Sequence, residues 1–155
     1  MIPKYHDDMD GKRIAIFPGS FNPFTLGHLD ILKRGVAMFD KVVVVLGINA
    51  SKPASEYAER VRQVADAVGG MERVEVMEWS GLTVDAAKKV GAQFILRGVR
   101  SMADYEYERN LADVNNSIAG IETVVLFTRP ELASVSSSVV RELASYGYDV
   151  SRFLP

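Results

Sequence analysis

Apolar residues along this chain follow two alternating rhythms. Short, nearly continuous runs occupy residues 14–17 (Ile-Ala-Ile-Phe), 41–48 (with Val42-Val43-Val44-Val45-Leu46 at their centre), 74–77, 94–96 and 123–127. Runs this short and rich in β-branched residues are expected of strands buried on both faces, as in a parallel sheet. Between them the spacing changes to three and four. Leu29, Leu32, Val36 and Phe39 share one helical face, as do Tyr57, Val61, Val64 and Val68. Residues 84–90 read as a short helix stopped by Gly91. The clearest stripe is Tyr107, Leu111, Val114 and Ile118, with Asp104 as its expected N-cap and Tyr107 as a core residue. Residues 137–144, preceded by serine, form the last helix. The alternation predicts an α/β fold: a Rossmann-like open sheet of about five parallel strands, with right-handed crossovers and helices on both faces.

Composition narrows the class. The chain has 155 residues, 48% of them hydrophobic and 25% charged, which suits one globular domain. Residues 1–11 carry Asp7, Asp8 and Asp10 and lack the apolar core of a secretory signal, so they read as a flexible, solvated arm. Residues 12–155 read as one domain, with no linker-like stretch or internal repeat. A net charge of −2 provides no field for non-specific nucleic-acid binding. No apolar run approaches the length of a membrane span, so a cytoplasmic protein is expected. With no cysteine, disulfides, thiolate metal sites and a cysteine nucleophile are excluded.

Open parallel sheets bind ligands beyond the carboxyl ends of their strands. Four such ends carry glycines, hydroxyls and cations. The first is followed by residues 18–28, Pro-Gly-Ser-Phe-Asn-Pro-Phe-Thr-Leu-Gly-His, and the second by Asn49-Ala50-Ser51-Lys52. The fourth ends in Arg97-Gly98-Val99-Arg100, and the fifth leads to Thr128-Arg129 and Ser136-Ser137-Ser138. This inventory suits phosphate. Gly19 allows close backbone approach, and Gly27-His28 fall where a helix begins and its free N–H groups attract anions. The serines are either helix caps or part of a phosphate cradle. Arg141 either faces the phosphates or pairs with Glu142. No group of Asp, Glu, His or Cys has metal-ligand spacing.

Residues 19–28 resemble the signature loop of the nucleotidylyltransferase superfamily, with Thr25 where its usual His-x-Gly-His motif has the first histidine. Together with Arg97-Gly98-Val99-Arg100, Asp104-Tyr105-Glu106-Tyr107-Glu108 and Ser136 to Glu142, the chain resembles the bacterial phosphopantetheine adenylyltransferases over about residues 12–155. That resemblance implies transfer of the adenylyl group of ATP to 4′-phosphopantetheine, giving dephospho-coenzyme A and pyrophosphate in the penultimate step of coenzyme A synthesis. It also implies Mg²⁺ entering with ATP, a homohexamer, and neither a membrane nor a nucleic-acid partner.

Residue by residue, the resemblance makes His28 the transition-state stabiliser, with Lys52 and Arg100 as further catalytic cations. ATP would contact Ser20, Phe21, His28, Gly98, Val99, Arg100 and Glu108. It would also contact the loop Leu132, Ala133, Ser134, Val135, Ser136, Ser137 and Ser138. The acceptor would contact Ser20, Lys52, Thr83 and Arg97. Residues 132–135 depart from the aromatic pair and isoleucine of many members. The rival readings are another enzyme of the superfamily, using nicotinamide mononucleotide or CTP with glycerol 3-phosphate, and a catalytically silent nucleotide-binding module.

Overall fold

A computed structural model describes residues 11–155; apart from Gly11, the expected N-terminal arm lies outside the described residues. Strands β1 (Ile14–Gly19), β2 (Lys41–Gly47), β3 (Val74–Trp79), β4 (Phe94–Val99) and β5 (Glu122–Phe127) form one parallel sheet in the order β3-β2-β1-β4-β5. Helices α1 (Leu26–Met38), α2 (Ser55–Val68), α3 (Thr83–Val90) and α4 (Met102–Ala119) connect them, and α5 (Ser137–Ser145) follows β5. The sheet and alternation are those expected from the sequence.

The continuous valine run of β2 explains how both faces are buried. Val42, Val44 and Leu46 point to one face and pack with Leu32 of α1 and Val64 of α2. Val43 and Val45 point to the other, against Val84, Ala86 and Ala87 of α3. Each such buried aliphatic side chain contributes about 1.5–3 kcal/mol relative to exposure.

Two helical expectations are corrected. Ser101, not Asp104, caps α4: its Oγ accepts from the Asp104 N–H at 3.2 Å. The Asp104 carboxylate instead accepts from the Arg100 N–H at 3.1 Å. Tyr107 is not a core residue but 61% exposed, and Val114 and Ile118 are 54% and 56% exposed. The stripe is helical, as its period requires, but it runs beside the sheet contact rather than along it. The only α4 residue fully withdrawn from solvent is a charged one, Glu108.

The chain order reverses between β1 and β4, and there the sheet opens. β1 pairs with β2 along its whole length, from Ile14↔Lys41 to Gly19↔Leu46. Its pairing with β4 ends after Ala15↔Phe94 and Ile16↔Ile95. Pro18 lies inside this central strand because it sits past that last pair. The N–H it lacks would have pointed into the gap, where its carbonyl now accepts from Arg97.

Candidate active site

The first loop turns back over the opened end of β1. Phe21 has a left-handed backbone, φ 45°, a conformation that costs a non-glycine residue about 1–3 kcal/mol. Its ring is 2% exposed and packs against Phe17 and Phe24, both at 5.3 Å between centroids. Gly19 makes room for it: a Cβ there would lie 2.9 Å from the Phe21 ring. Packing against the Phe21 ring therefore requires this glycine, which also lines the cavities described below.

His28 closes the same cluster, with its ring 5.1 Å from Phe21 and 5.4 Å from Phe24. It also completes a capping box on α1. The Thr25 backbone N–H donates to His28 Nδ1 at 2.9 Å, and Thr25 Oγ1 faces the His28 N–H at 3.5 Å. Imidazole takes the place usually held by Glu or Gln in this motif. Because Nδ1 accepts, the proton of the neutral ring resides on Nε2. Burial first, then the positive charges of Arg97 and Arg100, lower the pKa from 6.5 to about 4. At neutral pH, His28 is an uncharged donor.

Two cavities meet at this end of the sheet. One, about 280 Å³, is lined by the first loop, His28, Gly98, Arg100 and Val135 to Ser138. The other, about 240 Å³, runs past Gly47, Trp79, Gly81 and Thr83 to Tyr107, Leu111 and Asn115 of α4. Pro18, Gly19, Arg97 and Glu108 line both. Arg97 donates from Nε to both Glu108 carboxylate oxygens, at 3.0 and 2.9 Å, and from Nη2 to Oε1 at 2.6 Å. Its Nη1 donates to the Pro18 carbonyl, across the gap between β4 and β1. Gly98 is fixed by packing: a Cβ there would meet Ile31 Cγ1 of α1 at 2.9 Å.

The last helix is tied to the first loop. Ser136 caps α5, its Oγ accepting from the Val139 N–H at 3.2 Å. Ser137 Oγ donates to the Pro23 carbonyl at 2.8 Å, and Arg141 donates to the Asn22 carbonyl. Arg141 thus pairs with neither Glu142 nor an open phosphate site; it binds loop backbone. Caps, hydroxyls, a neutral N–H donor and two guanidinium groups converge on one volume. Such an arrangement can hold a polyphosphate and stabilise charge developing on it.

Comparisons with known proteins agree with this geometry. The Cytidylyltransferase-like family model matches residues 16–143. A phosphopantetheine adenylyltransferase of Porphyromonas gingivalis is 49% identical over 145 residues, covering 93% of this chain and 95% of its own. Another, from Bacteroides thetaiotaomicron, is 45% identical over 147 residues, covering 92% and 95%. This chain belongs to the phosphopantetheine adenylyltransferase family. The fold extends further. A bifunctional NMN adenylyltransferase/ADP ribose pyrophosphatase from Francisella tularensis superposes with a TM-score of 0.67 at 12% identity, over 92% of this chain and 44% of its own.

Seen as a phosphopantetheine adenylyltransferase family member, the chain gathers most of the residues expected from sequence. Ser20, Phe21, His28, Arg97, Gly98, Arg100, Glu108, Val135, Ser136, Ser137 and Ser138 line the first cavity, and Thr83 lines the second. Val99, Leu132, Ala133 and Ser134 line neither; Val99 is 4% exposed, its side chain spent on packing. Lys52 also lines neither cavity and pairs with Glu56 at 3.5 Å, with its side chain 53% exposed. Sequence reasoning missed Trp79 and Asn115 as lining residues, whereas Thr128, from the inventory at the end of the fifth strand, does line the first cavity. The sole tryptophan, beside Ser80-Gly81, was the available signal; its indole N–H donates to the Leu82 carbonyl at 3.0 Å, and so braces the cavity rim.

The donor set also bears on the expected Mg²⁺. Among the described residues, no group of three or more His, Cys, Asp or Glu is placed to hold a metal ion. Glu108 and Asp104, the carboxylates beside the first cavity, are engaged by Arg97 and Arg100. Cations and hydroxyls suit a metal carried on the nucleotide's phosphates and water, so Mg²⁺ fits here as part of the substrate.

Proposed function

We propose that this chain transfers the adenylyl group of ATP to 4′-phosphopantetheine, giving dephospho-coenzyme A and pyrophosphate. This is the penultimate step of coenzyme A biosynthesis. An oxygen of the acceptor phosphate attacks the α-phosphorus of ATP. The bond from that phosphorus to the bridging oxygen breaks, and pyrophosphate leaves in line. No covalent enzyme intermediate is needed, because both reactants are phosphates and the protein supplies position and charge. The observation that carries the reading is His28 in the wall of the first cavity, neutral and with its proton on Nε2. It donates to the α-phosphate as negative charge builds there.

ATP takes the first cavity, against Ser20, the Phe21 backbone, Gly98, Arg100 and the serines that open α5. The loop 132–135 closes over its phosphates, where Mg²⁺ would enter with the nucleotide and offset their charge. The acceptor's phosphate lies at the junction against Ser20 and Arg97, and its chain runs into the second cavity past Thr83. Lys52 swings in from its loop to meet the transferring phosphate. The protein acts in the cytoplasm as a homohexamer, and the exposed stripe of α4 is consistent with a contact surface between subunits.

The test is pyrophosphate release with MgATP and each of three acceptors. Turnover with 4′-phosphopantetheine, and a dephospho-coenzyme A mass peak, is expected. Turnover only with nicotinamide mononucleotide, or only with CTP and glycerol 3-phosphate, would overturn the acceptor. Silence from a folded, ATP-binding protein would favour a regulatory nucleotide-binding module.

A further inference from the structure

The turn that carries Lys52 is anchored at its first residue. Asn49 is exposed, yet its backbone N–H donates to the Tyr57 hydroxyl of α2 at 2.9 Å. Its side-chain Oδ1 accepts from the Ser51 N–H at 3.0 Å and from Ser51 Oγ at 2.7 Å. Its carbonyl accepts from the Lys52 N–H at 3.0 Å, which closes a four-residue turn. Asparagine at the first position of such a turn favours this arrangement. Pro53 then disfavours a helical backbone at Lys52 itself. Tyr57 does two things here. Its ring is 6% exposed and belongs to the core cluster that includes Leu46 and Val64, with the Arg60 guanidinium 5.1 Å from its centroid. The apolar stripe of α2 asks for nothing more than an apolar side chain at this position, so the hydroxyl is extra to it. Phenylalanine would fill the same space but leave the Asn49 N–H without its acceptor. The hydroxyl therefore fixes where the chain leaves β2. With that end pinned, substrate has the far end of the turn and the lysine side chain to order; without it, the whole connection to α2 must be ordered, at a higher entropic cost.

We infer that Tyr57 is a positioning residue: its hydroxyl pins Asn49 and so sets the reach of Lys52 toward the transferring phosphate. Tyr57 itself lines neither cavity and touches neither substrate. The inference rests on the adenylyl-transfer reading above and on the role given there to Lys52.

A double-mutant cycle between Tyr57→Phe and Lys52→Ala tests it, read in both kcat/KM for 4′-phosphopantetheine and melting temperature. Tyr57→Phe alone should lower kcat/KM about fivefold, the effect of one neutral hydrogen bond lost from the ordered loop. In the Lys52→Ala background it should lower kcat/KM by less than about 1.5-fold, because no ammonium is left to misplace. The melting temperature should fall by about 2–4 °C in both backgrounds. Asn49→Ala keeps Tyr57 but removes the carboxamide that ties Ser51, and its kinetic effect should depend on Lys52 in the same way. Wild-type kinetics in Tyr57→Phe with a lowered melting temperature would reduce the hydroxyl to a structural tie and overturn the proposal. An equal fold-loss of kcat/KM in both backgrounds would overturn it too, because Tyr57 would then act elsewhere than through Lys52. Unchanged turnover in Lys52→Ala would remove the group being positioned and overturn it equally. Each of these outcomes requires an active wild type. Wild-type silence with 4′-phosphopantetheine is thereby distinguishable: it would remove the underlying reaction, and the inference with it.

Discussion

The loop after β1 and the loop after β2 each offer a candidate group to the transferring phosphate, and they are held in opposite ways. His28 sits on the first turn of a helix, between two phenylalanine rings, with its Nδ1 fixed by the Thr25 N–H. Lys52 sits on a loop, half exposed, with a single ion pair to Glu56 at 3.5 Å. One group is held in place in advance; the other, in the role proposed for it, would be ordered only when substrate arrives. Preorganised donors in a dry site contribute most to catalysis, because they need no reorganisation when charge develops. Exposed ion pairs contribute about 0–1 kcal/mol and are screened by salt, so Glu56 can release Lys52 at little cost.

The sharpest way to break this contrast is to remove its rigid member. His28→Ala is expected to lower kcat about 100- to 1000-fold, equal to about 2.7–4 kcal/mol, while the variant melts cooperatively. Near-normal turnover would end His28's role as the principal donor.

A comparable effect should appear in stability against pH. The unfolded histidine titrates near 6.5 and the folded one near 4, so between these values the unfolded chain binds the extra proton. Stability therefore falls as pH drops through that window, by up to roughly 3 kcal/mol from this group. Denaturant melts at several pH values, compared with those of His28→Gln, would isolate the contribution. An identical pH slope in the two proteins would contradict the assignment.

Lys52→Ala should cost less, about tenfold in kcat/KM, because ordering the loop consumes part of what the cation contributes. Raising the salt should narrow the difference between wild type and Lys52→Ala but leave the His28→Ala deficit unchanged. Equal salt sensitivity would erase the contrast between the two loops. Smallest is Thr25→Ala, which removes a capping hydroxyl but keeps the backbone N–H that fixes Nδ1. It should lower stability by about 1 kcal/mol and change kcat less than about threefold. A loss as large as that of His28→Ala would move the tautomer lock from the backbone to the hydroxyl.

Much of this molecule was legible in its sequence, for identifiable reasons. Strands such as Val42 to Leu46 are buried on both faces, so each position carries the same apolar signal. The candidate phosphate-binding loops follow those strands directly, so locating the strands located the loops. The stripe of α4 misled because period shows which residues share a face and says nothing of what covers that face. The bond between Arg97 and Glu108 was hidden as well. Eleven residues separate them, and only the path from the end of β4 into α4 brings the two side chains together. The role of His28 in capping was legible only in part: its place at a helix start could be read, but not the Thr25 N–H that fixes the tautomer.

The measurement that tests the central claim most directly is the protonation of His28 itself, by nitrogen NMR of the imidazole. The chain has two histidines, and His6→Asn would leave one signal. The account predicts a neutral ring with its proton on Nε2, unchanged from about pH 8 to about pH 5. A ring that titrates near its ordinary value, or that carries its proton on Nδ1, would contradict the claim that this loop is built in advance as an uncharged donor to the reacting phosphate.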